Sequence, residues 1–356
     1  MYIKKILLEN FRSYKKRLFE FDPKINLIVG DNGIGKTNLL ESIYFLSAGK
    51  SFRASANRQL IHWQAKYASS MAKIINSKKE ENEVEVQLIV NPDITKTTIS
   101  RKFYVNKVEK SRNKYIGFLR TVIFHPDDIR LVTGSPGRRR DFLDEIFSQS
   151  VWQYAQAVSQ YKRALKHRNE LLDQIRLKKN NPNELFYWNQ SLVKNDAIIH
   201  DYRKSFVKFA NSFFADHPDG EIKTIYLNYH PSLLTQNRLD LDYDKDLACG
   251  YTGCGNHRDD FSFDNTIFPD ADKDLSHWGS RGQQRLAVLA LRLAQIDYYE
   301  KTHQEPPVLL LDDIFSELDE NHQQLVSKIC HKYQTFITSA VLNTNLILPS
   351  AKTFNI

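Results

Sequence analysis

The period of the apolar positions changes several times along the chain, and each period implies an element. Ile25, Leu27, Ile28 and Val29 form a nearly unbroken apolar run, as in a strand buried on both faces. After a glycine loop, Leu39, Leu40, Ile43 and Leu46 recur at helical spacing. Val308 to Leu311 form a second buried-strand run behind Pro306 and Pro307, which block a helix in front of it. Between Lys73 and Val105, the segments "EVEVQLIV" and "TTISRKFYV" alternate apolar with polar and predict antiparallel strands of a β-lobe.

Two long helical stretches follow. From Gln149 to Arg176 the residues Val151, Tyr154, Val158, Tyr161, Leu165, Leu172 and Ile175 recur every three to seven positions, and a second stretch runs from Asn183 to Phe214. The turn "LKKNNPN" joins them, which predicts an antiparallel helical arm of roughly 45 Å at 1.5 Å per residue. A third amphipathic helix is expected over Leu286, Val288, Leu289, Leu291, Leu293 and Ile296. The chain has no internal repeat, low-complexity stretch or long Gly/Ser linker, so the arm is expected as an insertion in one head. The expected division is a discontinuous head, residues 1–123 and 243–356, and a mostly helical arm, residues 124–242.

Composition narrows the classes. The 356 residues are 41% hydrophobic and 26% charged, enough for two or more packed domains and too apolar for disorder. A formal charge of +8 suits a nucleic-acid partner without requiring one. The first ten residues hold only Ile6, Leu7 and Leu8 in a row, and no run approaches about 18 apolar residues. Neither a signal peptide nor a membrane span is expected. Cys249, Cys254 and Cys330 are odd in number with no CxxC pair, which fits reduced thiols in the cytoplasm. Cys249, Cys254 and His257 lack a fourth ligand at any usual zinc spacing.

The 13 glycines are sparse, and eight of them fall in three short loops, where the chemistry is sought. In "VGDNGIGKT", Gly30, Gly35, Lys36 and Thr37 satisfy G-x-x-x-x-G-K-[ST] in the required order of strand, loop and helix. Such a loop, Gly30, Asp31, Asn32, Gly33, Ile34 and Gly35, turns backbone N–H groups toward phosphate oxygens at a helix N-terminus. Lys36 is expected to reach the β- and γ-phosphates of ATP, and the Thr37 hydroxyl to hold Mg²⁺. The run Val308 to Leu311 ends in Asp312 and Asp313, a Walker B pattern: Asp312 for Mg²⁺ and Asp313 beside the attacking water. Asp is one methylene shorter than the Glu more usual there, so hydrolysis is expected to be slow.

A third loop, Gly279-Ser280-Arg281-Gly282-Gln283, opens the helix over Leu286 to Ile296 and is a second candidate anion site. Its place, far after the P-loop and shortly before the aspartates, is the order of ATP-binding-cassette ATPases. The resemblance implies that Ser280 and the Gly282 N–H contact the γ-phosphate of ATP held by a second subunit, with Gln283 supporting the loop. Ser316-Glu317-Leu318-Asp319 reads equally as a subunit contact or as the cap of a helix starting near Asp319.

Six ordered blocks together resemble the RecF family of SMC-like ATPase heads: "ILLENFRSY", "GDNGIGKTNLLESIYFLSAGKSFR", "SPGRRRDFLDE", "GNHRDDF", "SRGQQR" and "LLLDDIFSELD". The resemblance covers nearly the whole chain. It implies an α/β fold, an ABC/SMC-like P-loop head with a β-lobe and an inserted helical arm. It also implies an ATP-dependent homodimer on DNA, preference for single strands, gaps or single-strand to double-strand junctions, and cooperation with RecR and RecO in loading RecA. By the same resemblance Arg12 leans over the nucleotide. Two departures stand out. Asn256 replaces the family's usual proline and is expected to soften that turn, although Asn is itself a turn former. "FITSA", Phe336 to Ala340, lacks the histidine of transporter cassettes, as RecF-like heads do, which argues against a membrane transporter subunit.

The basic residues Lys162, Arg163, Lys166, Arg168, Arg176, Lys178 and Lys179 suit phosphates or simply a solvated face. Arg138, Arg139 and Arg140 suit helix-start salt bridges as well as DNA. The leading expectation is a recombination mediator in DNA repair and replication-fork recovery, a slow DNA-stimulated ATPase. The alternative is an ATPase head that gates a protein partner without touching DNA. A nuclease would need a further acidic metal cluster, for which no room remains.

Overall fold

A computed structural model describes residues 1–31, 33–91, 98–269, 273–316, 318–339 and 351–356. Asn32, Glu317 and Ala340, which the sequence reading included, lie outside the described residues. The chain divides into two units, residues 1–128 with 295–356, and residues 129–294.

The first unit is built on two sheets. A parallel sheet runs, in spatial order, Lys352–Asn355, Ile25–Val29, Thr335–Ser339, Val308–Asp312 and Thr121–Phe124. The strands Ile25–Val29, Val308–Asp312 and Thr121–Phe124 are buried along their whole length, as their continuous apolar runs require. An antiparallel sheet runs Tyr14–Glu20, Tyr2–Phe11, Tyr67–Ile75, Glu81–Asn91, Thr98–Val105 and Val108–Lys110. Its strands alternate: Val84, Val86 and Leu88 are buried while their neighbours are half-exposed. The helix Lys36–Ala48 packs against both sheets, and Leu39, Ile43 and Leu46 share one apolar core with Ile6, Val86 and Leu310. The helix that follows the P-loop is therefore rooted in that core.

The second unit is mostly helical. Helices Trp152–Arg176 and Leu185–Asp216 pack together and are antiparallel, because Arg168 meets Asn189 whereas Tyr154 meets Arg203. At 1.5 Å per residue they are about 37 and 48 Å long. Pro136–Ser148 and an antiparallel strand pair, Ile225–His230 with Asp260–Asn265, complete the core of this unit.

The expected division at 242/243 is corrected here: the boundary falls between Ala294 and Gln295, inside the helix Arg281–His303. The reason is a set of buried ion pairs that tie residues 243–260 to the helix pair. Arg168, fully buried, donates to Asp246 at 2.7 Å, to Thr252 at 2.6 Å and to Asn189 at 2.8 Å. Arg203 donates to Asp259 at 2.9 Å, to Asp144 at 2.8 Å and to the Asn256 carbonyl at 2.8 Å. Breaking one such pair typically costs about 3–5 kcal/mol, because the remaining charge stays buried. Arg168 is therefore no phosphate ligand.

The arginine cluster divides in the same way. Arg139 forms a two-pronged pair with Asp260 at 2.6 and 2.9 Å, Arg140 donates to the Asp259 carbonyl at 2.9 Å, and Arg138 is exposed. The turn at Asn256 is tied to Asp196. Its backbone N–H and side-chain amide both donate to Asp196 Oδ1, at 2.7 and 2.9 Å. No helix among the described residues is long and apolar enough to cross a membrane.

Candidate functional site

The first unit folds Gly33, Gly35, Lys36, Thr37, Asp312 and Asp313 around one cavity of about 290 Å³, together with Asn38, Arg53 and Thr338. Gly33 and Gly35 have φ of +84° and +124°, a region in which side chains are strained, so glycine is required where the loop reverses. Tyr14 clamps the loop from outside by donating to the Gly35 carbonyl at 3.1 Å, and burial pushes its phenol up to about 12. Asp31 and Ile34 complete the described loop, with Ile34 46% exposed. The Lys36 ammonium donates to the Gly30 carbonyl at 2.6 Å and to the Asp31 carbonyl at 3.0 Å. A flexible cation held by loop carbonyls can be transferred to a phosphate.

Asp312 ends its strand beneath Thr37. The Thr37 hydroxyl donates to Asp312 Oδ1 at 2.9 Å, and the Thr338 hydroxyl donates to the same oxygen at 2.8 Å. Parallel register puts Thr338 directly opposite Asp312, so the contact follows from the pairing of the two strands. Thr338 Oγ1 also accepts from the Asp313 N–H at 3.0 Å. Asp313 has φ +52°, a left-handed conformation that Asp tolerates better than most residues. One threonine thus fixes the side chain of Asp312 and the backbone of Asp313. His125 Nε2 lies 3.5 Å from Asp312 Oδ2, while its Nδ1 accepts from the Asp127 N–H at 3.1 Å. That acceptor role puts the ring proton on Nε2, facing the carboxylate.

Arg12 does not line the cavity. Its Nε and Nη2 grip the two oxygens of Glu41 at 2.8 and 2.7 Å. Arg53, which the sequence reading did not single out, holds Glu41 from the other side at 3.0 Å and also donates to Asn38 Oδ1. Glu41 is fully buried, and its only signal in the sequence is a lone acid inside "NLLESIYFL". Burial alone would raise its carboxyl, but hydrogen bonds from Arg12 and Ser51 and the charge of Arg53 outweigh burial and lower it.

The loop of the second unit has its own logic. Ser280 precedes the helix Arg281–His303; its Oγ accepts from the Gln283 N–H at 3.3 Å, and Gln283 Oε1 accepts from the Ser280 N–H at 2.8 Å. This is a reciprocal capping box, in which Gln283 braces the loop. Accepting from Gln283 leaves the Ser280 hydroxyl its own proton to donate, and Gly282 lies open, with only Ser280 Oγ near a Cβ placed there, at 3.9 Å. Asp319 caps the helix Glu320–Cys330 by accepting from the His322 N–H at 2.9 Å.

Comparison with known proteins gives a consistent picture. Residues 2–347 match the family described as RecF/RecN/SMC N terminal domain. The chain is 34% identical to the DNA replication and repair protein RecF of Bacillus subtilis (strain 168), over 95% of this chain and 93% of the relative. It is 32% identical to the protein of the same name from Alkaliphilus oremlandii, over 97% and 94%. Among solved structures, the recombination mediator protein RecF with ATP, of the RecFOR pathway, superposes with a TM-score of 0.86 at 30% identity, over 100% of this chain and 95% of that one. An Smc head bound to the C-winged helix domain of ScpA matches at 0.53 and 18% identity, over 100% and 94%, a likeness of fold alone.

Proposed function

The chain belongs to the RecF family within the RecF/RecN/SMC class, and from that membership we propose that it is an ATP-gated DNA clamp serving recombinational repair. The observation that carries the reading is the convergence of Lys36, Thr37, Asp312 and Asp313 on one cavity at a helix N-terminus. Glycine-shaped backbone N–H groups and the Lys36 ammonium would hold the ATP phosphates.

The donor set fits Mg²⁺: the Thr37 hydroxyl and the Asp312 carboxylate, 2.9 Å apart, are hard oxygen ligands of the kind that cation prefers. When bound, Mg²⁺ would neutralise charge developing on the phosphates. Asp313 would orient or deprotonate the attacking water, and its short side chain makes that step slow. A long-lived ATP state then acts as the closed state of a clamp.

In the same reading Ser280 and the Gly282 N–H of one subunit meet the γ-phosphate of ATP bound by the other. Two subunits and two ATP molecules would close head to tail over single-stranded, gapped or junction DNA in the cytoplasm. The reading extends to partnership with RecR and RecO and, through them, help in loading RecA; the RecFOR pathway named for the solved relative supports it.

Sedimentation velocity with and without ATP tests the pairing. The wild-type chain should become dimeric with ATP, Lys36→Met should not, and Asp313→Asn should pair while failing to turn ATP over. Ser280→Arg should bind ATP as a monomer without pairing. Normal pairing of Ser280→Arg would rule out contact with the nucleotide of the partner subunit.

A further inference from the structure

The turn that joins the helices Trp152–Arg176 and Leu185–Asp216 carries a group of rings and cations outside the nucleotide cavity. Leu185 and Asn189, one helical turn apart, form the buried stripe here. Phe186 and Tyr187 fall off that stripe and are 63% and 68% exposed. Tyr187 meets Trp188 edge-on at 4.9 Å, and Trp188 stacks on His167 at 4.4 Å with an interplanar angle of 18°. The rings of both helices thus form one stepped wall, with Tyr187 open at its end.

Exposed cations lie on the same helix pair and in its turn. Lys178 and Lys179 project from the turn, and Arg163 and Lys166 from the facing helix, all exposed. Of the nearby acids, Glu170 lies 3.7 Å from Lys166 and 3.5 Å from His167, Asp173 pairs with Arg176 at 2.7 Å, and Glu184 is exposed. Exposed cations therefore outnumber acids on this end of the helix pair.

We propose that this end of the helix pair binds single-stranded DNA, with bases stacked on Tyr187 and Phe186 and phosphates on Lys178 and Lys179. The inference rests on the reading of the chain as a DNA-binding protein and gives that reading a single-strand subsite. A duplex offers phosphates but hides its base faces, so exposed rings beside lysines gain most from unpaired bases. A sequence-tolerant contact of this kind needs no base-edge readout, in keeping with the absence of any groove-reading element in the ring group.

The test is fluorescence anisotropy of a labelled oligothymidylate and of a blunt duplex of equal length, with the full chain and ATP at several salt concentrations. Phe186→Ala/Tyr187→Ala should bind the oligothymidylate about tenfold or more weakly, with the salt slope and duplex binding unchanged. Lys178→Glu/Lys179→Glu should weaken single-strand binding and flatten its salt slope by about one unit. Both pairs are exposed, and melting temperatures near wild type would show that the variants are folded. Unchanged affinity of the aromatic variant for oligothymidylate overturns the proposal and leaves the face to a protein partner; an equal loss on duplex also overturns it. If the wild-type chain still binds gapped duplex in an ATP-dependent way in those cases, only this subsite falls. A wild-type chain that binds no DNA at all would take the subsite and the proposed function down together.

Discussion

The Thr37 hydroxyl donates to Asp312 Oδ1 at 2.9 Å, joining the start of the P-loop helix to the end of a strand 275 positions later. The same oxygen accepts from Thr338 at 2.8 Å. If Thr37 turns to a metal ion, Thr338 still holds the carboxylate in place. The two hydroxyls therefore divide the work: one is exchangeable, and the other is a fixed support.

Thr338→Val should separate these roles. Valine keeps the shape but removes a donor to buried Asp312 and the acceptor of the Asp313 N–H. The expected cost is about 1–3 kcal/mol of stability, together with weaker Mg²⁺-dependent ATP binding. Chemical denaturation and titration calorimetry with ATP, with and without Mg²⁺, would measure the two effects. Unchanged Mg²⁺ dependence would remove Thr338 from the site.

Glu41 sets a prediction in pH. Its ordinary pKa of 4.5 is lowered in the folded state, where Arg12, Ser51 and Arg53 outweigh burial. A carboxylate depressed on folding adds stability that is fully present above its unfolded pKa and is lost as pH falls through the lower folded value. Glu41→Gln should cost about 1–3 kcal/mol at neutral pH, discounted because both arginines are partly solvated. The gap from wild type should narrow below about pH 4.5, which denaturation midpoints across that range would show. A constant gap would mean that Glu41 acts by shape alone.

The elements were legible wherever burial writes a period. The strands Ile25–Val29 and Val308–Asp312 are continuous apolar runs, and the long helices keep their spacing to within a few residues. Polar partnerships were not legible. Thr338 meets Asp312 only because two parallel strands adopt one register, and no local pattern encodes register between strands far apart in sequence. Arg168 looks like any surface base on a helix, yet its partner Asp246 lies in a different segment and makes it a buried anchor. Such ties also moved the unit boundary to 294/295, past the sequence expectation. The Ser280 and Gln283 capping box was visible as S-x-x-Q, whereas the pairing of Arg53 with Glu41 had no spacing to announce it.

Asn256 gives a prediction about the turn it occupies. Both of its N–H groups donate to Asp196 Oδ1, whose carboxyl is pushed up by burial despite these bonds. Asn256→Pro removes both donors and should destabilise the second unit by about 1–3 kcal/mol. Hydrogen exchange should quicken around Leu234, whose N–H donates to Asp196 Oδ2 at 3.1 Å. A stabilised Asn256→Pro protein would show that rigidity outweighs the two bonds.

Lys36→Met removes the P-loop ammonium, which donates to the Gly30 and Asp31 carbonyls. Losing a charge-assisted hydrogen bond to phosphate should weaken ATP binding roughly 10- to 100-fold with little change in stability. Titration calorimetry with ATP and a thermal melt would check both; an unaltered ATP affinity would contradict the assignment of this loop.

The most direct test of the central claim is the anisotropy of a labelled gapped duplex titrated with protein at fixed salt, with ATP and without nucleotide. The account predicts tighter binding with ATP and loss of that gain in Lys36→Met. ATP-driven dimerisation accompanied by no DNA binding in either condition would contradict it, and would point to a head that gates a protein partner instead.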